Sequence, residues 1–136
     1  MRRLVIDSGP LIAFFYEKDN YHQQAKQGFA ALLPSSTRLI VPLAVVFEVY
    51  KWLLYSTSKP LARNGLDIML NNLDISFTDL QLLEEIQLTV KNLPDWNGTL
   101  EDAAVMLLAQ RYQCPLWTQN YRDFGSFKSL EFWSPA

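Results

Sequence analysis

The chain has 136 residues, 49% hydrophobic and 19% charged, with a net charge of −2. One domain is the expectation, residues 1–136, because two cores in this length would each be too small. The apolar content excludes a disordered chain, and charges interrupt every apolar run before the roughly 18 residues of a membrane span. Met1-Arg2-Arg3 leads into a short apolar run that meets Asp7, unlike a secretory signal, so the expected location is cytoplasmic. Cys114 is the sole cysteine, which excludes an internal disulfide and a cysteine-based zinc site. The charge balance does not announce a nucleic-acid binder. Carboxylates, however, count as acid in a sequence and yet attract phosphate once they hold a metal ion.

The elements read off in order. Leu4-Val5-Ile6 is a buried strand. Ser8-Gly9-Pro10 turns into a helix that continues through Tyr16, with Pro10 in its first turn. A second helix is predicted over 21–33, with Ala25, Phe29, Leu32 and Leu33 at helical spacing. Leu39-Ile40-Val41 is the second strand, and Pro42 opens a helix to about Tyr55. Pro60 opens another, to about Asn71. A third strand covers 74–77, and Thr78 or Asp79 caps a helix to about Asn92. Residues 93–98 read as a loop. Thr99 is an N-cap with Asp102 at the third helical position, resembling a capping box, and that helix runs to about Gln113. A fourth strand covers 115–118 and a fifth is expected over 130–133. Short apolar strands alternating with helices predict an α/β fold with a mainly parallel sheet of four to five strands. Sites in such folds form beyond the carboxyl ends of the strands, near a reversal of strand order.

Asp7 ends the first strand, and Asn120 and Asp123 follow the fourth. Glu48 stands inside the apolar stretch Val45-Val46-Phe47-Glu48-Val49-Tyr50, where an uncompensated charge is costly to bury. Asp102 lies in a first helical turn, where the dipole favours its ionised form. Each acid also has a plain structural reading: Asp7 as a turn cap, Glu48 paired with Lys51, Asp102 as a capping residue, Asp123 as a loop acid. Taken together, four carboxylates from two strand ends and two helices can converge on one rim. There a cation must compensate them. An all-oxygen ligand set favours Mg²⁺ or Mn²⁺, ions that activate water and stabilise in-line attack on phosphorus.

The ordered segments resemble the PIN-domain family. Val5-Ile6-Asp7-Ser8-Gly9-Pro10-Leu11 is similar to its opening, and 17–25 to its acid–histidine–alanine segment. Val41-Pro42 followed by Glu48 resembles its second strand and acidic helix, Thr99-Leu100-Glu101-Asp102-Ala103 the segment with its third acid, and 117–124 the segment after its fourth strand. The small size is most like the VapC-type toxins of bacterial toxin–antitoxin pairs. The resemblance implies a three-layer α/β/α fold and a Mg²⁺- or Mn²⁺-dependent endoribonuclease that leaves 3′-hydroxyl and 5′-phosphate ends. By position, Asp7, Glu48 and Asp102 match the three principal acids. Asn120 stands where many members carry an aspartate, and Asp123 three residues on supplies the fourth acid. The implied partners are RNA, a cognate antitoxin with a segment that folds on binding, and a second copy in a homodimer. Alternatives are a PIN-fold binding or regulatory module with an impaired metal site, and an RNA-processing nuclease that is not a toxin.

Ser8 and Thr118 have supporting readings, as hydrogen-bond donors that orient carboxylates or waters. His22 reads as structural and Cys114 as a small buried hydrophobe. Phe47, Tyr50, Trp52 and Tyr55 share the Glu48 helix and read as core or interface residues rather than base-stacking ones. Arg111 and Arg122 are both candidates for holding phosphate at the rim.

Overall fold

The computed structural model describes residues 2–125, 127 and 129–135. Four parallel strands form one sheet: β1 (Arg3–Ile6), β2 (Arg38–Pro42), β3 (Asp74–Ser76) and β4 (Leu116–Trp117), in the order β3-β2-β1-β4. Seven helices accompany them among the described residues: α1 (Ser8–Phe15), α2 (His22–Leu32), α3 (Leu43–Ser56), α4 (Lys59–Asn72), α5 (Leu80–Lys91), α6 (Leu100–Tyr112) and α7 (Tyr121–Phe124). Leu4, Val5 and Ile6 are consecutive and all buried, and so are Leu39, Ile40 and Val41. Alternate side chains of a strand face opposite ways, so both faces of the sheet are covered, as the unbroken apolar runs predict.

The chain starts at β1, builds outward through β2 and β3, then returns to place β4 on the other side of β1. Strand order therefore reverses at β1, and the crevice beyond its carboxyl end is the natural place for a site. Helix α6 packs against β1, β2 and β4 and, on its other side, against α5. Ala103 and Ala104 lie buried with Leu82 and Ile86 of α5, where small side chains let the two helices approach. Gly28 of α2 meets the Trp117 ring, and a β-carbon there would stand 2.5 Å from it. His22 ties α2 to α1 through Nδ1 and the Ala13 carbonyl at 2.7 Å, a structural role. Cys114 is buried beside β4. No helix among the described residues is long and apolar enough to cross a membrane.

Of the two caps expected for α5, Asp79 is the one used, accepting from the Leu82 N–H at 2.8 Å. Three details differ from the sequence expectation. Pro42 is the last residue of β2 and the N-cap of α3 rather than its first helical residue. The expected fifth strand reduces to a single parallel bridge between Leu116 and Phe132, because β4 itself is two residues long and offers little edge to pair with. Helix α7 was expected as loop; its four residues are too few for a periodic signal.

Candidate active site at the carboxyl ends of β1 and β4

Asp7 follows β1 and is buried, with 3% of its surface exposed. Its backbone N–H donates to the Trp117 carbonyl at 3.0 Å, which extends the β1–β4 pairing into the site. Its side chain caps α1: Oδ1 accepts from the Ser8 N–H at 2.8 Å. Oδ2 accepts from the Thr118 hydroxyl at 2.8 Å, across 111 residues of sequence. Burial pushes the Asp7 carboxyl up to about 6; the Thr118 and Ser8 hydrogen bonds pull against that, and the charge of Asp102 adds to it. The capping reading of Asp7 is thus realised, and a carboxylate has lone pairs enough for these two donors and a further ligand.

Glu48 lies on α3, whose Val45, Val46, Val49 and Leu53 are buried while Phe47 is 69% exposed. That places Glu48 at the margin of the apolar face, half-buried. Its Oε1 is buried and has no hydrogen-bond partner among the described residues. Lys51 does not pair with it: the ion pairs among the described residues are Arg38–Asp74, Arg111–Glu85 and Arg122–Asp123. Burial raises the Glu48 carboxyl to about 7, a Ser8 hydrogen bond opposes this, and the charges of Asp7, Glu101 and Asp102 raise it further. Three carboxylates therefore act electrostatically on Glu48, and they come from the end of β1 and the start of α6.

Asp102 closes a full capping box. Its N–H donates to Thr99 Oγ1 at 3.1 Å, and its Oδ2 accepts from the Thr99 N–H at 3.1 Å. The structural reading of this residue is realised, on a side chain whose charge reaches both Asp7 and Glu48. Asn120 is the N-cap of α7: its Oδ1 accepts from the Asp123 N–H at 3.3 Å, and its Nδ2 donates to Asp123 Oδ2 at 2.9 Å. Its own N–H donates to Thr118 Oγ1 at 2.9 Å. A chain of hydrogen bonds thus runs from Asp123 through Asn120 and Thr118 to Asp7. Asn120 serves as the coupler between the two acids. Among the described residues, no three Asp, Glu, His or Cys side chains are gathered closely enough to form a ready-made ion cage.

Two residues escaped the sequence reading. Glu101 stands beside Asp102 in the first turn of α6 and acts on Glu48; the adjacent acid pair was the available signal. Gln119 packs its side chain 3.0 Å from where a Gly9 β-carbon would lie, so Gly9 leaves it room against the α1 turn. Arg111 is not a rim residue. It sits in the last turn of α6, far from the end that carries Asp102, and pairs with Glu85. Arg122 is beside Asp123 and exposed. Of the aromatic residues on α3, Tyr50 and Trp52 pack against the core, whereas Phe47 and Tyr55 are exposed.

Thr118→Val removes the hydroxyl that donates to Asp7 Oδ2 while keeping the side chain's shape. The expected result is a loss of about 1–3 kcal/mol of stability at pH 7 and a still higher Asp7 pKa. Denaturant unfolding measures the first, and a carboxyl titration by NMR the second.

A model of the PIN-domain family matches residues 4–129. A direct sequence comparison with curated proteins finds no match. Among solved structures, the chain is similar to VapC20 of Mycobacterium tuberculosis, described as a sarcin–ricin-loop-cleaving toxin. The TM-score is 0.78 at 14% identity, over 94% of this chain and 98% of that one. It is similar to the DNA-bound VapBC of Salmonella typhimurium, with a TM-score of 0.73 at 14% identity over the whole of both chains. A toxin–antitoxin complex from Klebsiella pneumoniae has a TM-score of 0.64 at 20% identity over 98% of each chain. At these identities the likeness is one of fold.

Proposed function

The chain belongs to the PIN-domain family, and on that premise we propose that it is a divalent-cation-dependent endoribonuclease, the toxin of a toxin–antitoxin pair. The observation that carries the reading is Glu48 Oε1, a buried carboxylate oxygen with no donor among the described residues, on a side chain charge-coupled to Asp7 and Asp102 where strand order reverses. A buried anion of that kind is destabilising unless something positive meets it. Asp7, Glu48 and Asp102 would hold the ion, with Asp123 as a fourth contributor. The donors are all oxygen, which suits Mg²⁺ or Mn²⁺. When bound, such an ion neutralises the carboxylates, makes water more acidic and stabilises charge on a phosphate under attack.

The chain's own residues prepare the site. Ser8 and Thr118 fix both oxygens of Asp7 in one orientation. Asn120 holds Asp123 and, through Thr118, ties it to Asp7. Without an ion, burial and the neighbouring acids raise Glu48 to about 7; a bound cation would favour its ionised, ligating form. Likeness to the VapBC assemblies supports an antitoxin partner. Exposed Phe47 and Tyr55 on α3 support an apolar interface, either with that partner or in a homodimer.

The test is RNA cleavage by wild type and Asp102→Asn, each with Mg²⁺, with Mn²⁺ and with chelator. Cleavage that disappears with chelator and in the variant is the expected result; intact RNA in every lane overturns the reading. The rival is a PIN-fold binding module with an impaired metal site. It is favoured by asparagine at 120 and by the absence, among the described residues, of a gathered acid cage. Calorimetry with Mn²⁺ separates the two, since the rival binds no ion.

A further inference from the structure

A cleft of about 460 Å³ opens at the other end of the sheet, where the strands begin. Arg2, Arg3, Thr37, Tyr112, Gln113 and Trp133 supply its polar and aromatic walls. Because the strands are parallel, β1 separates this cleft from Asp7 by its whole length. The Arg3 guanidinium lies 5.4 Å from the Tyr112 ring centroid, and that of Arg38 lies 5.6 Å from it. Arg38 is neutralised by Asp74. Arg2 and Arg3 are exposed, and neither joins an ion pair among the described residues. Among the described residues no carboxylate lines the cleft.

Helix α6 ends here, and open carbonyls at a helix carboxyl terminus would repel an anion. Two of them, those of Ala109 and Gln110, are capped. The Gln113 N–H donates to the Ala109 and Gln110 carbonyls, and Gln113 itself takes the left-handed conformation, φ 50°, which turns the chain back at the helix end. The Cys114 N–H donates to Ala109 as well. What remains is a concave surface with two cations that join no ion pair among the described residues, beside two aromatic rings, of a size that holds a small molecule. Guanidinium groups recognise phosphate by charge-assisted hydrogen bonds, and aromatic rings take a base by stacking.

We propose that this cleft binds a nucleotide unit, with Arg2 and Arg3 on the phosphate and Tyr112 and Trp133 against the base. The unit is either a free mononucleotide or one residue of an RNA chain that reaches behind the site.

The experiment is equilibrium calorimetry in chelator, so that no cleavage intervenes, with tryptophan fluorescence as the second readout. Adenosine monophosphate, inorganic phosphate and a single-stranded RNA oligonucleotide are titrated into wild type, the double variant Arg2→Gln/Arg3→Gln, and Tyr112→Leu. Both arginines are exposed, so the double variant folds, and circular dichroism verifies it. Expected is nucleotide binding weakened about tenfold or more in the double variant, and weakened in Tyr112→Leu as well. Such binding by the mononucleotide assigns the cleft to free nucleotides; such binding by the oligonucleotide alone assigns it to an RNA chain. No binding of either, binding unchanged in the double variant, or phosphate bound as well as nucleotide with no effect of Tyr112→Leu overturns the proposal. Because the readout is binding without metal, its failure is distinct from failure of the nuclease reading.

Discussion

Asp7→Asn is expected to abolish RNA cleavage and, in metal-free protein at pH 8, to raise the melting temperature. Burial holds the Asp7 carboxyl near 6, against a usual 3.8. The folded state therefore binds this proton more tightly than the unfolded chain. Stability from this group is fully present below about pH 4, falls as pH rises towards 6, and above that is lower by about 3 kcal/mol. Asparagine keeps the shape and carries no charge. Its Oδ1 still accepts from the Ser8 N–H, while Thr118 must turn its hydroxyl to accept from the amide. The net gain is thus smaller than the full electrostatic cost, about 1–2 kcal/mol, or several degrees. At pH 5 wild type is largely protonated and the difference between the two proteins shrinks. Mn²⁺ is expected to raise the melting temperature of wild type and to leave that of Asp7→Asn nearly unchanged, by linkage of binding to folding. Thermal scans at pH 5 and 8, with and without Mn²⁺, measure all of this. A variant less stable than wild type at pH 8 without metal would remove buried charge as the cause.

Phe124→Ala is expected to have the largest cost of any single truncation near the site. Phe124 is fully buried, 0% exposed, and its ring lies 5.9 Å from that of Trp96. Truncating such a phenylalanine costs about 3–5 kcal/mol through lost burial and the cavity left behind. The consequence for function follows from its place. Helix α7 is four residues long, too short to hold itself together, and Phe124 is its buried anchor. Without that anchor, Asn120 and Asp123 lose their fixed position and the link through Thr118 to Asp7 loosens. The expected result is a fall in melting temperature together with weaker Mn²⁺ binding, measured at a temperature where the variant is still folded. Conservative Phe124→Leu is expected to recover most of the stability and the binding. Undiminished Mn²⁺ binding by folded Phe124→Ala would place Asp123 outside the ion site.

Much of this protein is determined locally. Short apolar triplets such as Leu4-Val5-Ile6 alternate with amphipathic helical stretches along the chain, so the α/β class follows from the sequence. The starts of α5 and α6 follow likewise, because Asp79 and Thr99 cap with their own side chains within a few residues. Asp7, Glu48 and Asp102 stood out as acids at strand ends, inside an apolar run or in a first helical turn, and that placement is visible without any contact being known.

Tertiary structure decided the rest, since it depends on pairings between distant segments. The order β3-β2-β1-β4 puts Trp117 and Thr118 beside Ile6 and Asp7, and no local signal encodes that neighbour. The bond from Thr118 to Asp7 and the buried oxygen of Glu48 are consequences of that placement. Helix α7 forms because Phe124 finds a cavity to fill, a burial term that four residues of propensity cannot supply. The fate of Arg111 turned on which end of α6 faced the rim: the helix runs from the rim, where Asp102 lies, back to the beginning of the sheet, and Arg111 in its last turn pairs there with Glu85. Short-range chemistry fixes where elements begin and which residues are costly to bury; only the folded chain's long-range packing fixes which of them meet.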